Sequence, residues 1–396
     1  MRITPLAELE RRFQALQQQM DAAGLDAVLI LQNADLFYFT GSIQQGVLYV
    51  PASGEPLYLV RKDYTRARME CGLKELVPFR SPKDIPGILA DFNRQLPKKI
   101  GYELDVLPAA TFERLHKVFG AAEAKDASHL IRTVRAVKSD YEIEIMKDAA
   151  LMVDRVCQRA KEVIRVGMTD LELAAELEFT ARKLGHQGIT RMRGFNSELF
   201  YGHIFSGADS AAPAFLDAPL GGIGVNPSIG QGASYKRIEA NQPIIVDFAG
   251  AFDGYLVDQT RVFCVGGLPE PLAKAYEDMI AIERRLKELA RPGAVWGELY
   301  EACCALAAEL GHKEHFMGAP GAQVSFIGHG IGVEIDEYPF IARGFKDQVL
   351  EENMTFAFEP KVVYPGLGAV GVENTFWVAA DGLKHLTFTS EELVVL

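Results

Sequence analysis

The chain has 396 residues, of which 48% are hydrophobic and 24% charged, and its formal net charge is −12 at pH 7. This length indicates two or three domains, each long enough to bury a core, and the composition is that of an ordinary globular protein. Because nucleic acids and anionic membranes are bound chiefly through basic patches, the negative charge argues against both as partners and favours a small substrate.

The amino terminus shows no export pattern. Charged residues interrupt the first helical segment, where a signal peptide would have an apolar core. No run approaches the roughly 20 apolar residues that a membrane-spanning helix needs. The five cysteines are odd in number and have no C-x-x-C spacing, which argues against a disulfide framework. We therefore expect a cytoplasmic protein with reduced thiols.

Residues 1–133 alternate helical stretches with short apolar runs, such as residues 27–31 and 57–60. This pattern is typical of a mixed α/β domain. A junction near residues 132–139 separates it from the remainder of the chain. We expect the first domain to end at residue 133 and the second to comprise residues 134–396.

Helices are expected at four places in the second domain. Two capping boxes, Ser139-x-x-Glu142 and Thr169-x-x-Glu172, predict helix starts, and the first helix should run to about residue 164. Helical patterns at about 270–290 and 296–310 precede a second strand-rich part. Two helices before each strand-rich part indicate an internal pseudo-repeat and an α+β fold with helices around the sheet.

The segment 217–234 is rich in glycine and precedes the first of the strand-rich parts. It lacks the lysine of the phosphate-binding pattern G-x-x-x-x-G-K-[ST], and no strand comes before it. We expect a substrate-side loop or a plain connection.

A hairpin is predicted where two strand-like runs, residues 243–250 and 255–264, flank a turn ending in Asp-Gly. If the loop is residues 251–254, Asp247 lies directly opposite Asp258 on one face of the hairpin. Two like charges at that distance are unfavourable unless a cation lies between them. The pair therefore predicts a metal site, in which Thr260 would bond to the Asp258 carboxylate and Arg261 would brace the strand.

A second hairpin is centred on Gly366 and places Glu359 opposite Glu373. His329 lies among three glycines, where no side chain crowds its ring, and is the natural fifth ligand. An acid near a turn is usually a solvated surface residue, so the prediction depends on all five residues together.

Four carboxylates carry a charge near −4, which two divalent ions would balance. Oxygen-rich ligation with one imidazole suits Mn²⁺, Fe²⁺, Co²⁺ or Zn²⁺, and we expect Mn²⁺ first. Two such ions activate water and polarise a carbonyl, so the implied reaction is hydrolysis.

Residues 247–261, 328–339 and 358–373 resemble the metallopeptidase family with the pita-bread fold, which includes Xaa-Pro dipeptidases, aminopeptidase P, methionine aminopeptidase and creatinase. Residues 33–41 and 135–144 resemble the creatinase and prolidase amino-terminal domain and its junction. The resemblance implies a creatinase-like first domain, a pita-bread catalytic domain and a homodimer. It also implies hydrolysis of a peptide or peptide-like C–N bond, as in Xaa-Pro dipeptidases and aminopeptidases, in which Glu359 binds metal and takes a proton from water.

Substitutions around the expected substrate site separate this chain from the family pattern. Asp336 stands where the family usually has a histidine, and Ala214 stands where a second one is expected. Gly371 replaces a common arginine, and Asn374 replaces an acid. Asp336 could hold a cationic group of the substrate, and His203 is a candidate replacement for a missing imidazole.

These substitutions leave two alternatives open. One is a creatinase-like amidinohydrolase or a small-molecule lyase on the same scaffold, and the other is a non-catalytic metal-binding protein. His312 and His315 have no third ligand and are interpreted as surface residues.

Overall fold

A computed structural model describes residues 2–396 and divides the chain into two compact units. One unit contains the residues up to Arg135 together with Arg193–Asn196, and the other contains Ala136–Met192 and Ser197–Leu396. Within residues 2–396, every helix is too short or too polar to cross a membrane.

The first unit is built on a six-stranded sheet with strand order β4-β3-β2-β1-β5-β6. Strand β1 pairs antiparallel with β2 and parallel with β5, so the sheet is mixed. Apolar side chains of these strands form a core with the flanking helices. The strands are β1 (Ala27–Ile30), β2 (Gly46–Pro51), β3 (Leu57–Val60), β4 (Leu76–Pro78), β5 (Lys99–Tyr102) and β6 (Glu123–Asp126). The helices are α1 (Leu6–Ala23), α2 (Asn33–Thr40), α3 (Tyr64–Glu70), α4 (Ile85–Asp91), α5 (Ala109–His116) and α6 (Ser128–Ala136).

The second unit contains four long helices and three sheets. Its helices are α7 (Asp140–Val163), α8 (Asp170–Lys183), α9 (Glu270–Leu289) and α10 (Trp296–Glu309). Its strands are β7 (Gly202–Ser206), β8 (Ile244–Phe252), β9 (Tyr255–Cys264), β10 (Phe326–Ile331), β11 (Ile335–Ala342), β12 (Thr355–Phe358), β13 (Lys361–Tyr364), β14 (Gly368–Gly371), β15 (Asn374–Ala379), β16 (Gly382–His385) and β17 (Val394–Val395). The sheet orders are β17-β9-β8-β7, β11-β10-β12-β15-β16 and β13-β14.

Helix pairs precede each strand-rich part, as the pseudo-repeat predicts. Helices α7 and α8 share an apolar core with β7, β8 and β9. Helices α9 and α10 share a larger core with the later strands. Both predicted capping boxes are present. The side chains of Ser139 and Thr169 each accept a hydrogen bond from the backbone N–H three residues later, and the glutamate side chain at that position accepts one from the backbone N–H of the capping residue. The α+β prediction is therefore confirmed.

The first hairpin has a tighter turn than the sequence predicts. Phe252 pairs with Tyr255, so the loop is only Asp253 and Gly254, which have φ angles of 45° and 88°. Positive φ at both positions is the type I′ geometry that Asp-Gly favours. As a result Asp247 pairs with Thr260 and Asp258 pairs with Ala249. The prediction that the two acids lie directly opposite is wrong, but an even shift of register keeps them on one face, diagonal to each other.

The second hairpin has the predicted register. Lys361 pairs with Gly371, and Phe358 pairs with Asn374. Both pairs fit the register in which Glu359 is opposite Glu373. Glu359 lies between β12 and β13, and Glu373 lies between β14 and β15. Glu359 and Glu373 therefore occupy facing positions on two neighbouring segments.

Candidate metal centre

Five side chains from five segments meet in the second unit. Asp247 comes from β8, Asp258 from β9, His329 from β10, and Glu359 and Glu373 lie next to β12 and β15. Four of them are buried and Asp247 is nearly so, with 14% of its side chain exposed. Ligand atoms of Asp258, His329 and Glu373 lie within 4.8 Å of one another. The structure thus brings together the residues that the sequence assigns to one site.

The imidazole of His329 is oriented so that one nitrogen faces the carboxylates. Its Nδ1 lies 3.2 Å from the carbonyl oxygen of Gly330, to which only a protonated Nδ1 can donate. Its Nε2 lies 3.7 Å from Glu359 Oε1 and 3.9 Å from Glu373 Oε1. This is the usual arrangement of a metal-binding histidine, in which the second nitrogen is held by a hydrogen bond.

Gly330, the residue after His329, is required by the close approach of a neighbouring strand. A Cβ at position 330 would lie 2.2 Å from the carbonyl oxygen of Tyr338 on β11. The pairing of β10 with β11 is irregular on both sides of Gly330. Such a bulge redirects the neighbouring side chain, here His329.

The spacing around His329 Nε2 fits one transition-metal ion. Bonds from such an ion to nitrogen and oxygen are about 2.0–2.2 Å long. Two ligand atoms closer than about twice that length can share one ion. The measured separations of 3.7 and 3.9 Å meet this condition.

Lys361 is the residue of the site that sequence reasoning missed. Its side chain is about 2% exposed, and its Nζ donates to Glu359 Oε2 at 2.7 Å, Glu373 Oε2 at 2.9 Å and Asp247 Oδ2 at 3.1 Å. A signal was present in the sequence, because residues two apart on an extended chain point to the same face and Lys361 is two residues after Glu359.

Burial and mutual repulsion change the acidity of the site. Burial raises the pKa of Glu359 to about 7, although the Lys361 ammonium opposes this. Burial, then the charges of Glu373 and Asp247, raises the pKa of Asp258 well above its usual value. Burial lowers the pKa of Lys361, but the three carboxylates outweigh it and the net pKa is raised. Because positive charge favours ionised carboxylates, the cluster is suited to hold a cation.

Thr260 and Arg261 support the second carboxylate pair. Thr260 Oγ1 donates to Glu373 Oε2 at 2.8 Å, so the prediction that it bonds to Asp258 is wrong. The shifted register explains this, since Thr260 lies two positions beyond Asp258 on the strand. The buried Arg261 donates to the carbonyl oxygen of Glu373 at 2.7 Å and to Asn374 Oδ1 at 2.7 Å. Asn374 is thereby part of a hydrogen-bonded network behind the site.

His203 lies beside Asp247, because β7 pairs with β8 and these two residues are direct partners. The residue is 7% exposed, and its Nε2 makes no hydrogen bond of ordinary geometry within residues 2–396, although the side chain of Gln231 lies close to the ring. Burial lowers its pKa, although the Asp247 charge opposes this. A Cβ at Gly232 would lie 3.6 Å from the ring, so the glycine-rich segment packs against it.

Asp336 lies on the far side of the His329 ring from the carboxylates. Its Oδ1 is 3.7 Å from His329 Nδ1, and its side chain is 36% exposed. Its backbone has a φ of 66°, which is uncommon for a residue other than glycine. It is therefore next to the site but outside the carboxylate cluster.

Two other histidine groups lie away from the site. His312 is buried between Asp278 and Tyr364, whose oxygens are 2.9 and 2.8 Å from its ring nitrogens, so its interpretation as a surface residue is wrong. A cluster of Glu283, Glu391 and His385 also has metal-like spacing. Asn374 donates to both of those carboxylates, and Lys287 lies 2.8 Å from His385.

The fold and the ligand set define a metal-dependent hydrolase. Residues 144–380 match metallopeptidase family M24, and residues 12–137 match the Creatinase/Prolidase N-terminal domain. The chain belongs to metallopeptidase family M24.

Similar proteins cover nearly the whole chain. The Xaa-Pro dipeptidase of Pyrococcus horikoshii is 29% identical over 95% of this chain and 96% of its own length. The Xaa-Pro dipeptidase of Pyrococcus furiosus is also 29% identical, over 98% of this chain and 100% of its own length. Among solved structures, the Xaa-Pro dipeptidase from Bacillus anthracis superposes with a TM-score of 0.83 at 26% identity, covering 98% and 100% of the two chains.

Proposed function

We propose that this protein is a dipeptidase that cleaves the peptide bond before proline in small Xaa-Pro peptides. The observation that carries the proposal is the convergence of Asp247, Asp258, His329, Glu359 and Glu373 in one buried cluster. The full-length similarity to proteins named Xaa-Pro dipeptidase supports the substrate. The amidinohydrolase and lyase alternatives have no comparable support among these relatives.

The bound metal would supply an activated water and polarise the scissile carbonyl. Asp258, His329, Glu359 and Glu373 would hold it. Glu359 turns one oxygen towards His329 and gives the other to Lys361, so it has a fixed orientation from which to take a proton from the attacking water. The hydrogen bond of His329 Nδ1 to Gly330 keeps Nε2 facing the site.

We further propose Mn²⁺ as the native ion, a cytoplasmic location and a homodimer. Oxygen-rich ligation with one imidazole supports Mn²⁺ and leaves Co²⁺, Zn²⁺ and Fe²⁺ as alternatives. Five free cysteines support a reducing compartment. The homodimer follows from the family resemblance, and light scattering of the purified protein would test it.

The substrate proposal is tested on matched dipeptides after reconstitution with each metal. Ala-Pro and Met-Pro should be hydrolysed, and Ala-Ala and Met-Ala should be cleaved at least about tenfold more slowly, the ratio that a difference of about 1.4 kcal/mol in transition-state binding produces. Creatine is the control for the amidinohydrolase alternative. Equal cleavage of proline and alanine peptides, or hydrolysis of creatine alone, would overturn the proposal.

His203 is proposed to contact the substrate or its leaving group. Its buried, unbonded Nε2 and its place beside Asp247 support this role, since such a nitrogen is costly unless a ligand satisfies it. His203→Phe should lower kcat by about 10²-fold if the imidazole moves a proton. The measurement is kcat and KM over a pH range, with melting temperature as the control for folding. Unchanged kinetics would exclude the role.

Asp336 is proposed to attract the cationic amino group of the substrate. Its partial exposure beside His329 supports this, and attraction between exposed charges is modest. Asp336→Asn should raise KM roughly threefold to tenfold with little change in kcat, since about 1 kcal/mol is the expected scale. Kinetics at low and high salt measure it, and a KM independent of both substitution and salt would refute the attraction. If kcat and metal affinity fall instead, Asp336 acts by orienting His329.

A further inference from the structure

Lys361 places a fixed positive charge inside the carboxylate cluster. The ammonium group has three N–H donors, and the three bonds described above engage three different carboxylates. All three N–H donors of Lys361 therefore have an acceptor within the cluster, and the carboxylates compensate its positive charge.

The position of Nζ conflicts with a second divalent ion. Asp247 Oδ2 and Glu373 Oε2 both accept from Nζ, at 3.1 and 2.9 Å. A metal ion bound to those oxygens would lie about 2 Å from each, and thus within a few ångströms of the ammonium. Buried like charges at that distance repel strongly.

The other half of the cluster remains suited to a metal. Glu359 and Glu373 each direct Oε2 to Lys361 and Oε1 towards His329 Nε2. Each of the two carboxylates therefore uses one oxygen to bind the Lys361 ammonium. The other oxygen, Oε1, lines a space that His329 and Asp258 also border. That space has the separations that fit one ion.

The facing strand leaves room for the lysine. Lys361 pairs with Gly371, and a Cβ at position 371 would lie 2.5 Å from Lys361 Cγ. Any other residue at 371 would therefore displace the lysine side chain. The small size of Gly371 therefore allows the Lys361 side chain to reach the carboxylates.

We propose that the Lys361 ammonium takes the place of one metal ion, so that this enzyme works with a single divalent ion per chain. The two ions predicted from the charge of the four acids are then replaced by one ion and one lysine. The inference rests on the proposed function of the cluster as a metal site, and it concerns how many ions the site holds.

The test is the number of ions bound per chain. Mn²⁺ titrations by calorimetry and elemental analysis after gel filtration should give one ion for the wild type. Lys361→Met removes the charge and the donors at similar length, and it should bind two ions. Lys384→Met is the control, because Lys384 is 48% exposed and its ammonium bonds to Asp381 rather than to the cluster, and this variant should bind one ion. Electron paramagnetic resonance gives an independent readout, since an isolated Mn²⁺ shows a six-line signal and a coupled pair does not.

Two ions in the wild type, or one ion in Lys361→Met as in the wild type, would overturn the proposal. No bound ion in the wild type would overturn both this inference and the metal site. One bound ion without Xaa-Pro hydrolysis would instead overturn the proposed substrate and leave the role of Lys361 standing. If Lys361→Met does not fold, Lys361→Gln takes its place, and the wild-type count remains decisive against a two-ion site.

Discussion

Glu359→Gln should reduce kcat for an Xaa-Pro dipeptide by about 10²–10⁴-fold, the usual contribution of a general base. The amide keeps the shape of the side chain and can still accept a hydrogen bond from Lys361. It cannot take a proton, and it is a poorer metal ligand than a carboxylate. Both consequences arise at the reacting centre, so we expect the loss in kcat to exceed any change in KM.

The two consequences are separated by measuring bound metal. Activity is assayed at saturating Mn²⁺ and compared with the metal content of the same sample. Glu352→Gln is the matched control, since Glu352 is exposed and should keep full activity. An activity loss below about tenfold at full metal occupancy would contradict the assignment of Glu359 as the base.

The clustering of the five proposed ligands could be predicted from the sequence because its signal is local. Each acid lies in or beside a strand-like run. Within each pair, the two acids are either directly opposite or displaced by two residues, and side chains two residues apart on a strand point to the same face. Asp247 and Asp258 therefore share a face even though the predicted pairing was two positions out of register. The two-residue turn at Asp253 and Gly254 was the local feature that decided the register.

The partners of the ligands could not be predicted in the same way. Lys361 sits in an apolar strand, where a lysine is usually a solvated surface residue, and its three carboxylate partners come from separate segments. The burial of His312 between Asp278 and Tyr364 likewise depends on how α9 packs against β13, which no short pattern contains. The contacts of Lys361 and the burial of His312 both depend on packing between segments that are distant in sequence.

Arg261 connects the stability of the second unit to the geometry of the site. The residue is 1% exposed, and its guanidinium donates to four backbone carbonyl oxygens and to Asn374 Oδ1. The four carbonyls belong to Thr260, Glu373, Thr389 and Ser390. One side chain thus fixes the strand that carries Asp258, the segment that carries Glu373 and the carboxyl-terminal segment.

Arg261→Met should lower the free energy of unfolding by about 3–5 kcal/mol, the cost of breaking a buried, hydrogen-bonded charge network. Methionine fills part of the volume but removes five hydrogen bonds of the network, and a buried acceptor that loses its only donor costs about 1–3 kcal/mol. Urea unfolding followed by circular dichroism measures the loss. Arg284→Met is the control, because Arg284 is exposed on α9 and its replacement should change stability by less than about 0.5 kcal/mol.

The same substitution should weaken metal binding, because Glu373 loses the shortest of the hydrogen bonds that hold its backbone. Mn²⁺ affinity of folded Arg261→Met, measured below its unfolding transition, should fall about 10–100-fold, the scale of lost support behind a metal ligand. A variant that is destabilised but binds Mn²⁺ with unchanged affinity would show that Arg261 serves the fold alone. If the two losses occur together, the arginine positions the ligand as well, since the bond to the Glu373 carbonyl is the direct link between them.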